Sequence, residues 1–191
     1  MEVSGMDVWL RPALVVIDVQ RAIDAPYWAA SGPRNNPTAE AVIDKLIGFW
    51  REHKWPIVHV RHSSVSDQSS YHARSDGFAF KYAVTPSSHE VVVTKRANSA
   101  FVNTSLNAEL KQLRCDRIVM CGVTTNHSVD VSVRHAAALG YKVRLVSDAC
   151  AAFPLRLADG RIINGEDVHQ IFTANLSGEY CEVVQSAQII A

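Results

Sequence analysis

Cysteine is scarce and badly placed for cross-linking. The four in this 191-residue chain, Cys115, Cys121, Cys150 and Cys181, form no CxxC pair, so neither a disulfide framework nor a zinc site of that spacing is expected. No apolar run approaches the ~20 residues of a membrane-spanning helix. The opening MEVSGMDVWLRP lacks a charged segment followed by an apolar one, so no secretory leader is expected and the location expected is cytoplasmic. Charge of one sign is missing as well. The 19 Lys and Arg balance the 19 Asp and Glu, with no basic block, and nothing favours nucleic acid or an anionic membrane surface as a partner. Zero net charge also leaves solubility unaided, which points to surface buried in a homo-oligomer, a dimer or tetramer. There is no internal repeat and no low-complexity linker.

What the chain has is apolar material, 48% of its residues, enough for a core without staples. It comes in alternating blocks. ALVVID (13–18) is a continuous apolar run ending at an acid, as in a strand covered on both faces. NNPTAEAVIDKLIGFWREHKW follows with helical spacing, an Asn cap and Pro37 in its first turn. PIVHVRH (56–62) and VVVTK (91–95) read as the second and third strands, with a helix near 104–113 before RIVMCGV (117–123), the fourth. The helix from about 126 to 139 stops at Gly140, a C-cap. YKVRLVSDA (141–149), a helix over 165–178 and YCEVVQ (180–185) complete the pattern. Strands separated by helices predict one α/β domain over 1–191, Rossmann-like and three-layered. Its six-stranded, mostly parallel sheet carries helices on both faces, and residues 1–10 are expected to be flexible. The polar stretch 62–90 is too long for a simple connection and reads as a lid or binding loop. The turn-rich 151–165 is expected beside it, near the carboxyl ends of the strands, where open α/β sheets take ligands.

Asp18, Lys95 and Ser128 each fall at or just past the carboxyl end of a predicted strand, so one rim of the sheet can bring them together. A carboxylate there can take a nucleophile's proton and return it to a leaving amine, while a lysine holds the carboxylate and stabilises negative charge. Ser128 follows the turn TTNH at a helix start, where unpaired N–H groups and the helix dipole favour an anion. A thiol gains reactivity in such a place; a hydroxyl gains far less.

At these residues the chain resembles the isochorismatase-like cysteine hydrolases. The resemblance runs from about 11 to 188 and rests on VVIDVQ (15–20), KRANSAFVNTSL (95–106), CGVTTNHSV (121–129) with RHAAALGY, VSDACA (146–151) and the helix carrying His169. It implies Asp18 as general base and acid and Lys95 as the lysine of the triad. A cysteine stands where Ser128 stands here; it attacks a carbonyl carbon, an amine leaves, and water hydrolyses the acyl-enzyme. The resemblance further implies a cis Val123–Thr124 peptide, with the N–H groups of Thr124 and Ser128 forming an oxyanion hole, and no cofactor. On this reading the substrate is a small carboxamide, ureido or carbamoyl compound. Ser128 then reads as a replacement of the cysteine that traps substrate, ahead of a natural variant with other chemistry or an inactive homologue. Two other functions stay open. One is vinyl ether hydrolysis by protonation, which needs no covalent nucleophile; the other is a non-catalytic interaction module.

Further candidates for substrate contact are Gln20, Ile23, Tyr27 and Trp28 after the first strand, Arg61 and His62 at the end of the second, Phe80 and Tyr82 in the lid, and His127 beside Ser128. Tyr71 and Phe78 join the lid aromatics, which can equally serve a subunit contact. Ile23 occupies a position where many members of the family carry an aromatic residue. His59 and His62 stand three apart on a strand and so on opposite faces, and the Asp-x-His motif of the metal-binding nicotinamidases is missing, so no metal is expected. Cys121 and Cys150 read as small buried packing residues.

Overall fold

The computed structural model describes residues 9–190; of the stretch expected to be flexible, residues 1–8 lie outside it. Six strands form one sheet: β1 (Ala13–Ile17), β2 (Ile57–His62), β3 (Val91–Lys95), β4 (Arg117–Val123), β5 (Lys142–Ala151) and, after a short hairpin, β8 (Glu182–Val184). Their order is β3-β2-β1-β4-β5-β8 and every pairing is parallel. All five residues of β1 are buried, as its unbroken ALVVI run requires of a central strand covered on both faces. The flanking helices are α1 (Ala39–Glu52), α2 (Leu106–Gln112), α3 (Asp130–Ala138) and α4 (Gly165–Leu176). α1 buries Ala39, Ile43, Leu46, Ile47 and Trp50, one stripe at helical spacing, and Trp50 Nε1 donates to Pro12 O at 2.8 Å, anchoring the helix to the start of β1.

Chain order matters for function here. The chain builds β1, then β2 and β3 outward on one side, and crosses back to build β4, β5 and β8 on the other. The crossing leaves a switch point between β1 and β4, where open α/β sheets offer a crevice at the strands' carboxyl ends. Gly122 shapes the β4 side of it. The pairing with β5 shifts register between Met120 and Gly122, and Gly122 adopts φ 130°. A Cβ there would fall 2.1 Å from Ile17 O, so only glycine lets β4 pass the end of β1.

α3 ends as expected at Gly140, φ 89°. Gly140 N donates to Ala137 O at 2.9 Å and Tyr141 N to Ala136 O at 3.1 Å, the paired bonds of a Schellman cap. The start of α1 departs from expectation. Thr38 precedes it without a side-chain cap, because both asparagines are used elsewhere. Asn36 Nδ2 donates to the carbonyls of Ser147 and Cys150, and Asn35 Oδ1 accepts from Ala152 N. They fasten the loop before α1 to the end of β5. Inside the turn-rich 151–165 lies a two-stranded hairpin, β6 (Leu155–Arg156) and β7 (Ile162–Ile163). Among the described residues no helix is long and apolar enough to cross a membrane.

Candidate active site

Asp18 follows β1, Lys95 ends β3, and Ser128 sits in a π-helical turn, Thr125–Val129, that leads from β4 into α3. The sheet gathers all three at the switch point. Lys95 Nζ lies 2.7 Å from Asp18 Oδ2 and donates to Ser128 Oγ at 3.0 Å and to Ala97 O at 3.1 Å. Those three acceptors match the three donors of an ammonium. Lys95 is 1% exposed, Asp18 4% and Ser128 7%, so the cluster is almost dry and its electrostatic interactions are strong. Burial pushes the Asp18 carboxyl above its ordinary pKa; the Lys95 charge, the bond from Lys95 and the nearby Ser128 hydroxyl pull it back. Among the described residues Asp18 Oδ1 has no hydrogen-bond partner, so one carboxylate oxygen keeps its lone pairs unused. Asp18 itself holds φ 55°, turning its side chain from the strand into the crevice.

The Val123–Thr124 peptide is cis, and Thr124 immediately precedes the turn that contains Ser128. Thr125 Oγ1 and His169 Nδ1 are 2.9 Å apart, which ties that turn to α4. The ring of His62 is 3.5 Å from Lys95 Nζ through Nδ1. Burial and the Lys95 charge lower its pKa to about 4, so His62 is neutral near pH 7.

A cavity of about 320 Å³ opens over the cluster, lined by Asp18, Ile23, Tyr27, Trp28, His62, Ser69, Tyr71, Asn98, Val123, Thr124, His127 and Ser128. A second, of about 230 Å³, shares Tyr27, Trp28, Thr124 and His127 with it and continues to Ser31, Asn126, Phe153, Pro154 and Leu155. Of the residues expected at the substrate, Ile23, Tyr27, Trp28, His62 and His127 line these spaces and four do not. Gln20 is fully buried and acts as a clip. Its Oε1 accepts from His62 N at 2.7 Å and its Nε2 donates to the carbonyls of His62 and Phe78, joining β2 to the 62–90 segment. Arg61 alternates with His62 along the strand and therefore faces the other way. Its Nε donates to Thr94 Oγ1 at 2.9 Å and its guanidinium lies 4.5 Å from the Phe78 ring centroid. Phe80 packs on the core edge-on to His59, and Tyr82 is 95% exposed.

The expectation did not single out Ser31, Ser69, Asn98, Asn126, Phe153, Pro154 or Leu155 as cavity residues. Asn98, three residues past Lys95 in the KRANSAF block, is the one whose position carried a signal. Tyr71, one of the aromatics of the 62–90 segment, is 6% exposed, and burial beside Asp18 raises its phenol pKa well above the ordinary value. Cys121 and Cys150 are fully buried, and burial raises both thiol pKa values, that of Cys150 to about 12. Among the described residues no three His, Cys, Asp or Glu side chains are grouped to hold a metal ion.

The class defined by this fold is an α/β protein with a buried carboxylate–ammonium pair at its switch point. The isochorismatase domain model matches residues 12–188, and the chain belongs to the isochorismatase family of hydrolases. It is 36% identical over 180 residues to the isochorismatase family protein YrdC of Bacillus subtilis, covering 94% of this chain and 95% of that one. The crystal structure of an isochorismatase-family hydrolase from Chromobacterium violaceum superposes with a TM-score of 0.89 at 41% identity, over 97% of each chain. A cysteine hydrolase from Pseudomonas syringae pv. phaseolicola gives 0.84 at 25% identity, over 94% of this chain and 91% of that one.

Proposed function

We propose that this chain hydrolyses the C–N bond of a small carboxamide, ureido or carbamoyl compound through an acyl-enzyme at position 128. The observation that carries the reading is the placement of Lys95 Nζ, 2.7 Å from Asp18 Oδ2 and 3.0 Å from Ser128 Oγ, in a nearly dry site. Asp18 accepts the proton of the nucleophile at 128. The nucleophile attacks the carbonyl carbon, and the oxyanion is met by the backbone N–H groups of Thr124 and Ser128. Asp18 then gives its proton to the leaving amine; in the second half it draws a proton from the water that attacks the acyl-enzyme and returns it to the side chain released at position 128. Lys95 keeps the carboxylate in place and lies against the developing anion.

Serine makes this slow. A thiol with an unperturbed pKa of about 8.5 can become thiolate in such a place; a hydroxyl must be deprotonated as it attacks. The chain as it stands therefore binds its substrate and turns over poorly. The reading is tested by measuring ammonia release with Ser128→Cys and with Ser128→Cys/Asp18→Asn on a panel of primary amides. A base that also activates the nucleophile should be worth at least ~10²–10⁴ in rate. Activity of the double variant within tenfold of the single one would remove Asp18 from the mechanism.

A further inference from the structure

The walls of the two cavities say which amides this site takes, granted the acyl-transfer reading above. Among the described residues no arginine or lysine lines either space. Arg61, the cation nearest in sequence to the cavity-lining His62, is turned away onto Phe78. The Lys95 ammonium is fully engaged by Asp18, Ala97 and Ser128. The two histidines are held toward the neutral form, His62 by burial and by Lys95, His127 by the desolvation of its ring at the cavity edge. A substrate carboxylate set against Trp28 and Phe153 would give up part of its water without meeting an arginine or lysine among the described residues, and a charge desolvated without a partner is disfavoured. What the walls offer instead is aromatic surface. Trp28 stands at the centre, with ring centroids of Tyr27 at 5.5 Å, Tyr71 at 6.0 Å and Phe153 at 6.0 Å. Tyr27 and Tyr71 meet it edge to face, whereas Phe153 is tilted by only 33°, and Pro154 and Leu155 extend the apolar wall.

We propose that the part of the substrate distal to the scissile amide is uncharged and planar, an aromatic or similarly flat apolar group resting against Trp28 and Phe153, and that a carboxylate in that place is rejected. Specificity is then set by two features together: the aromatic wall attracts the flat group, and, with no arginine or lysine in the wall among the described residues, the desolvation of an acid goes uncompensated.

Three primary amides test this: acetamide, 3-phenylpropionamide and succinamate, the last two differing mainly in a distal phenyl or carboxylate. Ammonia release by Ser128→Cys should give a kcat/KM for 3-phenylpropionamide at least about 100-fold above that for succinamate. Phe153→Ala in that background should lower the ratio of 3-phenylpropionamide to acetamide about tenfold. Ser31→Arg, which adds a cation to the groove wall, should raise succinamate relative to acetamide by about tenfold or more. Succinamate turned over as well as 3-phenylpropionamide, or a 3-phenylpropionamide preference untouched by Phe153→Ala, overturns the inference. Calorimetry on the chain with Ser128 separates this from the reaction itself. If it binds 3-phenylpropionamide and not succinamate while no amide ever releases ammonia, the acyl-transfer reading fails and the substrate class stands. If it binds succinamate as tightly, or binds neither, the substrate class fails.

Discussion

Replacing Lys95 by methionine keeps roughly the length of the side chain and deletes its charge. Lys95 is 1% exposed and Asp18 4%, with 2.7 Å between Nζ and Oδ2, so the variant leaves a carboxylate buried without its counter-ion. Breaking a buried pair from one side costs about 3–5 kcal/mol, whereas replacing both charges is often neutral or stabilising by about 1–4 kcal/mol. Lys95→Met/Asp18→Asn also forfeits the bonds to Ala97 O and Ser128 Oγ, each worth about 1 kcal/mol. The double variant is therefore expected within about 2 kcal/mol of the parent, although each single variant loses more than that. pH gives a second handle. Without Lys95 the Asp18 carboxyl loses what pulls its pKa down, and its folded value rises further above the unfolded one. Stability from such a group is fully present below the unfolded pKa and is lost as pH rises through the folded pKa. The deficit of Lys95→Met should accordingly be largest near pH 8 and shrink toward pH 4. Urea unfolding of the four proteins at pH 8 and pH 5, with linear extrapolation, measures both effects. A double variant as unstable as the sum of the singles, or a deficit that ignores pH, would refute the account of a coupled, desolvated pair.

His62 supplies a pH dependence of opposite sign. Its folded pKa, about 4, lies below the ordinary 6.5, so its contribution is complete above pH 6.5 and is lost as pH falls toward 4. His62→Gln should lack that loss, about 1–2 kcal/mol after discounting for a half-buried ring, and chemical denaturation of both proteins between pH 7 and 4.5 reads the difference. Gly122→Ala should be destabilised by several kcal/mol or fail to accumulate, because its Cβ would lie 2.1 Å from Ile17 O; a melting temperature within about 3 °C of the parent contradicts the close approach. Iodoacetamide at pH 7.5 should label position 128 in Ser128→Cys at least ~100-fold faster than Cys121 or Cys150, whose burial raises their pKa values; peptide mapping would expose equal labelling.

Those elements stood out in the sequence whose signal is local. The runs at 13–17 and 117–123 are strands covered almost throughout, 57–62 is covered over its first four residues, and 91–95, the edge strand of β-branched residues, buries only Val93 and Lys95. Asp18, Lys95 and Ser128 converge because each ends or follows such a run, and the order of the sheet does the rest. Where the side chains of the other candidates go depends on tertiary partners. Whether Arg61 or His62 faces the cavity is fixed by the pairing of β2 with β1 and β3, and a run of six residues with histidines and an arginine near its end does not reveal it. Gln20 looks like a substrate ligand from its place after Asp18, yet all its polar atoms are consumed by His62 and Phe78. Asn35 and Asn36 carry the composition of a helix cap, and the cap is lost because the end of β5 offers them carbonyls and an amide. The β6–β7 hairpin has two residues in each strand, too few for any alternation to register.

The claim on which the functional reading turns is covalent acyl transfer at position 128. Ser128→Cys incubated with a turned-over amide, quenched in acid within milliseconds to seconds and weighed intact, measures it directly. The expected result is a mass increase equal to the acyl group, mapped to the peptide containing position 128, that appears with the first ammonia and decays once substrate is spent. Ammonia released at the full steady rate while position 128 stays unmodified at every quench time, including under single-turnover conditions, would contradict it.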